Sequence, residues 1–378
     1  MLVGGGATAA AAVPHWRLVS SPDASSTADN YLTAVSCSGA RFCMAVGDYV
    51  DSATANLRAL AEKWNGHAWA LVSTPTISGK HLYELAGVSC PSARFCMAAG
   101  FYANGSGHYQ TLIEKWNGTN WAKVRSPDTS STQYNDLNAV SCPSVSFCMA
   151  AGYYGSKTGA SQTLTEKWNG KGWAKVTSAD TSARLSNVLN GVSCSSASFC
   201  TAAGYASDML GYPQALTQTW NGKKWAKGRP AAISSPENEL LGVSCPGPAF
   251  CLAVGYYFKG SHRPAQALIE KWNGKDWAKV SSPDTSGKHV YYPAAVSCPT
   301  ARFCIAAGDF TPQPATSDLQ QTLILRWNGT KLAAVTSADF GSQTNTLNGV
   351  SCPSTGYCMA AGIYFSAAVT WQTLTEQW

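Results

Sequence analysis

One motif recurs seven times along the 378 residues and restricts what they can fold into. A clear copy spans residues 137–173, LNAVSCPSVSFCMAAGYYGSKTGASQTLTEKWNGKGW. The shared pattern is Leu-x-(Gly/Ala)-Val-Ser-Cys, a five-residue gap, Cys-x-Ala-(Ala/Val)-Gly, a variable stretch, and (Thr/Ala)-Leu-x-Glu-x-Trp-Asn-Gly-x-x-Trp. The first cysteines of the copies are Cys37, Cys90, Cys142, Cys194, Cys245, Cys298 and Cys352, separated by 53, 52, 52, 51, 53 and 54 residues. A period of this size signals a propeller, solenoid or array. Length alone would wrongly suggest several independent domains.

Each copy reads as four short strands: A (LNAVSC), B (FCMAAGYY), C (QTLTEKW) and D (WAKV). They are rich in β-branched and aromatic residues and bounded by Ser, Pro, Asn and Gly. Asn-Gly between C and D is a hairpin signal, because both residues tolerate positive φ. Four antiparallel strands make one propeller blade. Copy seven stops at Trp378, before its strand D, while residues 15–22 (HWRLVSSP) match residues 121–127 (WAKVRSP). The first strand is therefore expected to complete the last blade, closing a ring and covering an otherwise unpaired edge. The expected fold is all-β: a seven-bladed β-propeller with four antiparallel strands per blade. Residues 1–14 are set aside as a signal-peptide remnant or disordered arm. Residues 15–378 form one propeller domain, with blades near 32–73, 85–125, 137–177, 189–229, 240–281, 293–336, and 347–378 plus 15–20.

All 14 cysteines fall in Cys-x5-Cys pairs: Cys37/Cys43, Cys90/Cys96, Cys142/Cys148, Cys194/Cys200, Cys245/Cys251, Cys298/Cys304 and Cys352/Cys358. Each pair spans a tight A–B hairpin, within disulfide reach. The A–B turns with their disulfides and the C–D turns are expected to share one face of the ring. Zinc sites favour closer spacing, and no histidine follows in register. Seven local disulfides imply an oxidising compartment and hence secretion. Residues 1–13 (MLVGGGATAAAAV) read as the tail of a signal peptide or a misplaced start. No run approaches the ~20 apolar residues of a membrane helix, so no membrane insertion is expected. Only 13% of residues are charged, and basic residues such as Arg41, Arg94 and Arg302 recur around the ring. Nucleic-acid binders concentrate such charge on one face, so no nucleic-acid partner is expected.

Glu62, Glu114, Glu166, Glu270 and Glu376 recur on strand C, with Gln218 and Leu325 in copies four and six. A carboxylate repeated at one blade position is a structural hydrogen-bond hub, since an enzyme needs one site rather than five. The tryptophans flanking Asn-Gly are expected to pack as cross-strand pairs; the alternative is sugar stacking on exposed indoles. Copy six carries Leu332 at the second of these positions, and Pro293 where strand A has Leu. The B–C loops vary most: 104–109, 156–161, 207–213, 259–264 and 311–318. Rigid scaffolds present function on such loops. Tyr49, Tyr102, Tyr154, Tyr257 and Tyr364 lie just before them; two readings stand, ordinary rim packing between blades, and the lining of shallow clefts that makes them candidate ligand-binding residues. Asn138, Asn190 and Asn348 would face the central funnel. Asp48 and Asp309 replace the Tyr or Phe that follows the strand B glycine and are the candidate polar anchors. In the D–A loops, Ser-Pro-Asp-Thr-Ser (126–130 and 282–286) is expected to close Asx-turns on its own backbone. Calcium is a weaker alternative there, because a tight site needs several carboxylates.

The six histidines form no metal pattern, and nucleophile-elbow and Walker motifs are absent. No cofactor or catalytic residue is assigned. The Ser-Cys-x5-Cys-x-Ala-x-Gly and Trp-Asn-Gly-x-x-Trp repeat resembles that of exported bacterial seven-bladed β-propeller repeat proteins, over residues 15–378. The Ser-x-Asp-x-Gly-x-x-Trp boxes and arginine triad of sialidase propellers are missing. The resemblance implies a secreted, non-catalytic, lectin-like module with multivalent inter-blade sites for a glycan or cell-surface polysaccharide. One alternative is a protein-interaction scaffold or recognition subunit of a larger exported assembly. Another is a polysaccharide-acting hydrolase.

Overall fold

The computed structural model describes residues 15–77, 82–260, 265–283, 289–312 and 319–378. Residues 1–14, His81, His262 and parts of the 259–264, 282–286 and 311–318 loops lie outside them. Twenty-eight strands form seven four-stranded antiparallel sheets, arranged as a seven-bladed propeller, and no helix occurs among the described residues. In blade 3 the strands are Asn135–Ser144, Phe147–Gly155, Ser161–Trp168 and Trp173–Val176. The seventh sheet runs Arg17–Val19, Trp371–Gln377, Tyr357–Phe365, Asn345–Ser354. Arg17 pairs with Gln377, Leu18 with Glu376 and Val19 with Thr375, so the first strand closes the last blade. Trp16 packs against Trp378 with ring centroids 5.9 Å apart.

The core lies between blades. Met149 and Ala151 of blade 3 pack with Leu189, Val192, Cys200 and Trp220 of blade 4, and the other interfaces repeat this arrangement. Strand B runs through the crowded centre of each blade, which accounts for its small residues. A Cβ on Gly152 would lie 2.0 Å from the carbonyl oxygen of Asp136, so no side chain fits there.

The serine of each Ser-Cys pair joins neighbouring blades. The N–H of Cys90 donates to Ser36 Oγ, that of Cys142 to Ser89 Oγ and that of Cys194 to Ser141 Oγ. The series continues around the molecule and ends with Cys37 donating to Ser351 Oγ; all seven bonds measure 2.9 Å.

The seven cysteine pairs are disulfides with Cα atoms 3.9–4.1 Å apart. They lie at the A–B turn end of each blade, as expected, and they are buried there. Cys43, Cys96, Cys148, Cys200, Cys251, Cys304 and Cys358 are all 0% exposed, and their partners on strand A are buried too. The register gives the reason. In blade 3 the hairpin closes at Ser144 and Phe147, so the cysteines stand back from the turn, inside the strands. The strand B cysteine then faces the packed interior. Cys43 pairs across to Trp64, Cys96 to Trp116, Cys148 to Trp168, Cys251 to Trp272 and Cys304 to Trp327. Cys358 joins the apolar cluster of Trp16, Leu347 and Leu374. The bridges thus belong to the core between blades rather than to a functional surface.

Two local expectations change. At the Asn-Gly turns only glycine has positive φ, as at Gly66 (100°). The asparagine instead caps the turn: Asn65 Oδ1 accepts the N–H groups of His67 and Ala68, both at 2.9 Å. The linker aspartates do not close Asx-turns. Asp128 Oδ1 accepts from Thr111 N and Oγ1 at 2.8 and 2.9 Å, strapping the linker back onto strand C of its own blade. Asp180, Asp339 and Asp23 do the same to Thr163, Thr322 and Thr373. Asp284 lies outside the described residues.

Four of the five strand C carboxylates join blades as hubs, whereas Glu114 has no hydrogen-bond partner among the described residues. Ser126 Oγ, on the linker leaving blade 2, donates to Glu166 of blade 3 at 2.7 Å. Ser21 meets Glu62 at 2.6 Å, Ser337 meets Glu376 at 2.8 Å, and Ala231 N meets Glu270 at 3.0 Å. Gln218 makes the equivalent contact with both backbone groups of Ala179. In blade 6, where Leu325 replaces the carboxylate, Ser282 Oγ is buried with no partner among the described residues.

Candidate functional site

Loops B–C and D–A meet on one face of the ring, and every blade but the fourth, which has Ala206, ends there in an aromatic residue two positions after the strand B glycine. Cross-strand pairing sets Tyr49 opposite Asn30, Tyr154 opposite Asn135 and Tyr364 opposite Asn345. These asparagines are wholly buried and hold the incoming linker; Asn30 Nδ2, for example, donates to the carbonyls of Ser25 and Ala28. The aromatic is thereby backed by a rigid polar clasp while its outer side faces strands C and D.

Grooves form on that outer side, and they are unequal. Blade 1 has one of about 530 Å³, walled by Tyr49, Arg58, Ser73, Thr76 and Tyr83. Blade 3 has one of about 330 Å³ beside Tyr154 and Asp180, and blade 6 one of about 350 Å³ beside Phe310 and Asp339. The other candidate tyrosines are covered. Lys123 Nζ sits 4.0 Å above the Tyr102 ring, Lys279 Nζ 3.9 Å above Tyr257, and Phe340 packs on Tyr364 at 4.3 Å. The structure therefore brings Tyr49 and Tyr154 to open grooves and spends the remaining three on packing.

Asn138, Asn190 and Asn348 line the central channel, together with residues from all seven blades around a cavity of about 170 Å³. Each occupies a bulge in strand A and donates its amide N–H across to the next blade: to Leu189 O at 2.9 Å, Leu240 O at 2.9 Å and Leu32 O at 2.8 Å. These contacts account for the asparagines by blade docking.

Asp48 and Asp309 belong to a belt that the strand B positions alone did not disclose. Tyr31 lies opposite Asp48 and Tyr292 opposite Asp309. In blades 2, 3 and 5 the order is reversed, with Glu84 opposite Phe101, Asp136 opposite Tyr153 and Glu239 opposite Tyr256. Tyr256 Oη donates to Glu239 at 2.9 Å, and Gln320 Nε2 to Asp309 at 3.0 Å. Burial, reinforced by the charge of Glu84, pushes the Asp48 carboxyl up to about 8 and that of Asp136 to about 7; burial alone raises Asp309 to about 7. These carboxyls near the channel end hold protons around neutral pH. The signal lay in the residue before the strand A leucine (Pro293 in blade 6), which in blades 2, 3 and 5 is acidic opposite an aromatic and in blades 1 and 6 is tyrosine opposite an acid.

The indoles are not available for sugar stacking along most of the ring. Trp64, Trp116, Trp168, Trp220 and Trp327 are each 3% exposed or less. The Trp64–Trp69 and Trp116–Trp121 pairs pack with centroids 5.7 and 5.8 Å apart.

No family model matches the chain, and no curated protein matches it. Solved structures share its fold. A YCF48 structure bound to a D1 peptide is 12% identical with a TM-score of 0.57, covering 97% of this chain and 96% of that one. A protein of unknown function from Dyadobacter fermentans DSM 18053 is 10% identical with a TM-score of 0.52, covering 97% and 99%. A PL25 ulvan lyase bound to -[GlcA(1-4)Rha3S]- is 10% identical with a TM-score of 0.51, covering 89% and 92%. At such identities the likeness is one of fold, and function has to be argued from this chain's own surface.

Proposed function

We propose that the protein is a secreted, non-catalytic carbohydrate-binding propeller, with its ligand sites on the face of the B–C and D–A loops. The observation that carries this reading is the open groove of blade 1, where Tyr49 stands beside Ser, Thr, Asp and Arg side chains. Aromatic planes pack against the apolar faces of sugar rings, and the polar groups exchange hydrogen bonds with hydroxyls. Seven disulfides support export. Five blades carry an acid in the belt beside the channel, and this repetition favours structure over a reaction centre. Several grooves on one rigid ring suit a polymer, because linked weak contacts gain avidity.

A second reading, a scaffold for a protein partner, is favoured by the blade 4 B–C loop. Met209 and Leu210 there are 93% and 81% exposed. Large apolar side chains at a loop tip suit a protein interface.

A glycan array probed with the folded chain separates the two. Oligosaccharide binding that falls at least about tenfold in Tyr49→Ala, and is unchanged in Leu210→Ser, is the expected result. Absence of any glycan signal, with a protein captured through Leu210, would replace the first reading with the second.

A further inference from the structure

Blade 1 breaks a packing rule that the other blades keep around this same groove. Opposite the rim aromatic, strand C carries glutamine in blades 2, 3, 5, 6 and 7, and blade 4 has glutamine at the same register. In blades 2, 3, 4 and 7 that glutamine holds the following linker; Gln110 Nε2 donates to Gln133 O at 3.1 Å and Gln162 Nε2 to Leu185 O at 3.0 Å. In blade 1 the residue is Arg58. Blade 1 also lacks the threonine–aspartate strap of blades 2, 3, 6 and 7, with Ala59 and Thr76 at those places; blades 4 and 5 share the alanine, as Ala215 and Ala267. Arg58 is thus what sets this groove apart, and the groove is larger than those of blades 3 and 6.

What replaces the packing is a cation between aromatic rings. Arg58 faces Tyr49 across the strand pair, and its guanidinium carbon stands 5.8 Å from the centre of the Tyr83 ring. Its contact with Asp51 measures 3.8 Å, too long for a hydrogen bond. Tyr83 engages part of the planar donor fork, and the rest faces the groove. A guanidinium fork matches a carboxylate with two parallel bonds.

We propose that the blade 1 groove is a subsite for a uronate residue, a sugar bearing a carboxylate. Arg58, backed by the buried Tyr83, binds the carboxylate, Tyr49 holds the ring, and Ser73 and Thr76 meet its hydroxyls. The proposal rests on the carbohydrate reading above and names the class of sugar.

Calorimetric titration of the full chain with hexagalacturonate, and with its methyl ester, tests it. Esterification removes the charge and keeps the ring. Arg58→Gln installs the residue natural to the other blades, so the fold is retained. Wild type should prefer the acid, and Arg58→Gln should weaken acid binding by at least about tenfold while leaving the ester unchanged. Ala59→Thr with Thr76→Asp, which rebuilds the strap, should weaken both. Equal affinity of wild type and Arg58→Gln for the acid, an ester bound as well as the acid, or a wild type that binds neither would overturn the uronate assignment. The carbohydrate reading is decided separately by neutral glycans on the array.

Discussion

The two tryptophans of each blade look alike in the sequence and do different work. Trp116 Nε1 donates to Ala93 O at 3.1 Å, and its counterparts in blades 1 and 3 to 6 make the same bond. The indole N–H of Trp121 is buried with no acceptor among the described residues, and the same holds for Trp16, Trp69, Trp173, Trp225 and Trp277. The second position therefore needs apolar volume alone, which explains why Leu332 serves there at 6% exposure. Trp121→Leu should cost about 1 kcal/mol. Trp116→Leu should cost about 3 kcal/mol, because it opens a cavity and strands a buried carbonyl. Urea midpoints of the two variants check this. At this scale the exceptions of the repeat were readable, Asp48 and Asp309 among them. Their partners Tyr31 and Tyr292 were not, because they sit on another strand and show themselves only once the register is known.

Along the strands and linkers, the repeated carboxylate sets how stability responds to pH. Burial raises Glu62, Glu114 and Glu166 from 4.5 to about 8, and Glu270 and Glu376 to about 7. Between those values the folded chain holds protons that the unfolded chain has released. The contribution of these groups to stability therefore falls as pH rises through that window; it is fully present below 4.5 and gone by about 8. Asp48, Asp136 and Asp309 add in the same direction. The calorimetric unfolding temperature should be higher at about pH 5 than at about pH 8.5, and Glu166→Gln should flatten part of that slope. The hub role was visible in the recurrence of the glutamate. Its partner was not: the hydroxyl comes from the preceding blade's linker, about 40 residues earlier in the chain.

For the whole molecule, closure concentrates in a few contacts. The strand Arg17–Val19, the Trp16–Trp378 pair and the Asp23 strap all join the beginning of the ring to its end. Removing residues 15–23 should expose the outer edge of Trp371–Gln377. The chain should then melt at a lower temperature and self-associate through that edge, as light scattering after size exclusion would show. The recurring Cys-x5-Cys and Trp-Asn-Gly-x-x-Trp spacings sufficed to determine the blade count, the hairpin pairing, the disulfides and the borrowed strand, because all follow from contacts inside one repeat or from its offset. Which rim tyrosines stay open, how deep the disulfides lie, and how blades lock through Ser-to-Cys and linker-to-glutamate bonds, was decided by the tertiary structure. Those features depend on contacts from one blade to the next, and a near-identical repeat gives the same local signal whether its neighbour fills a groove or leaves it empty.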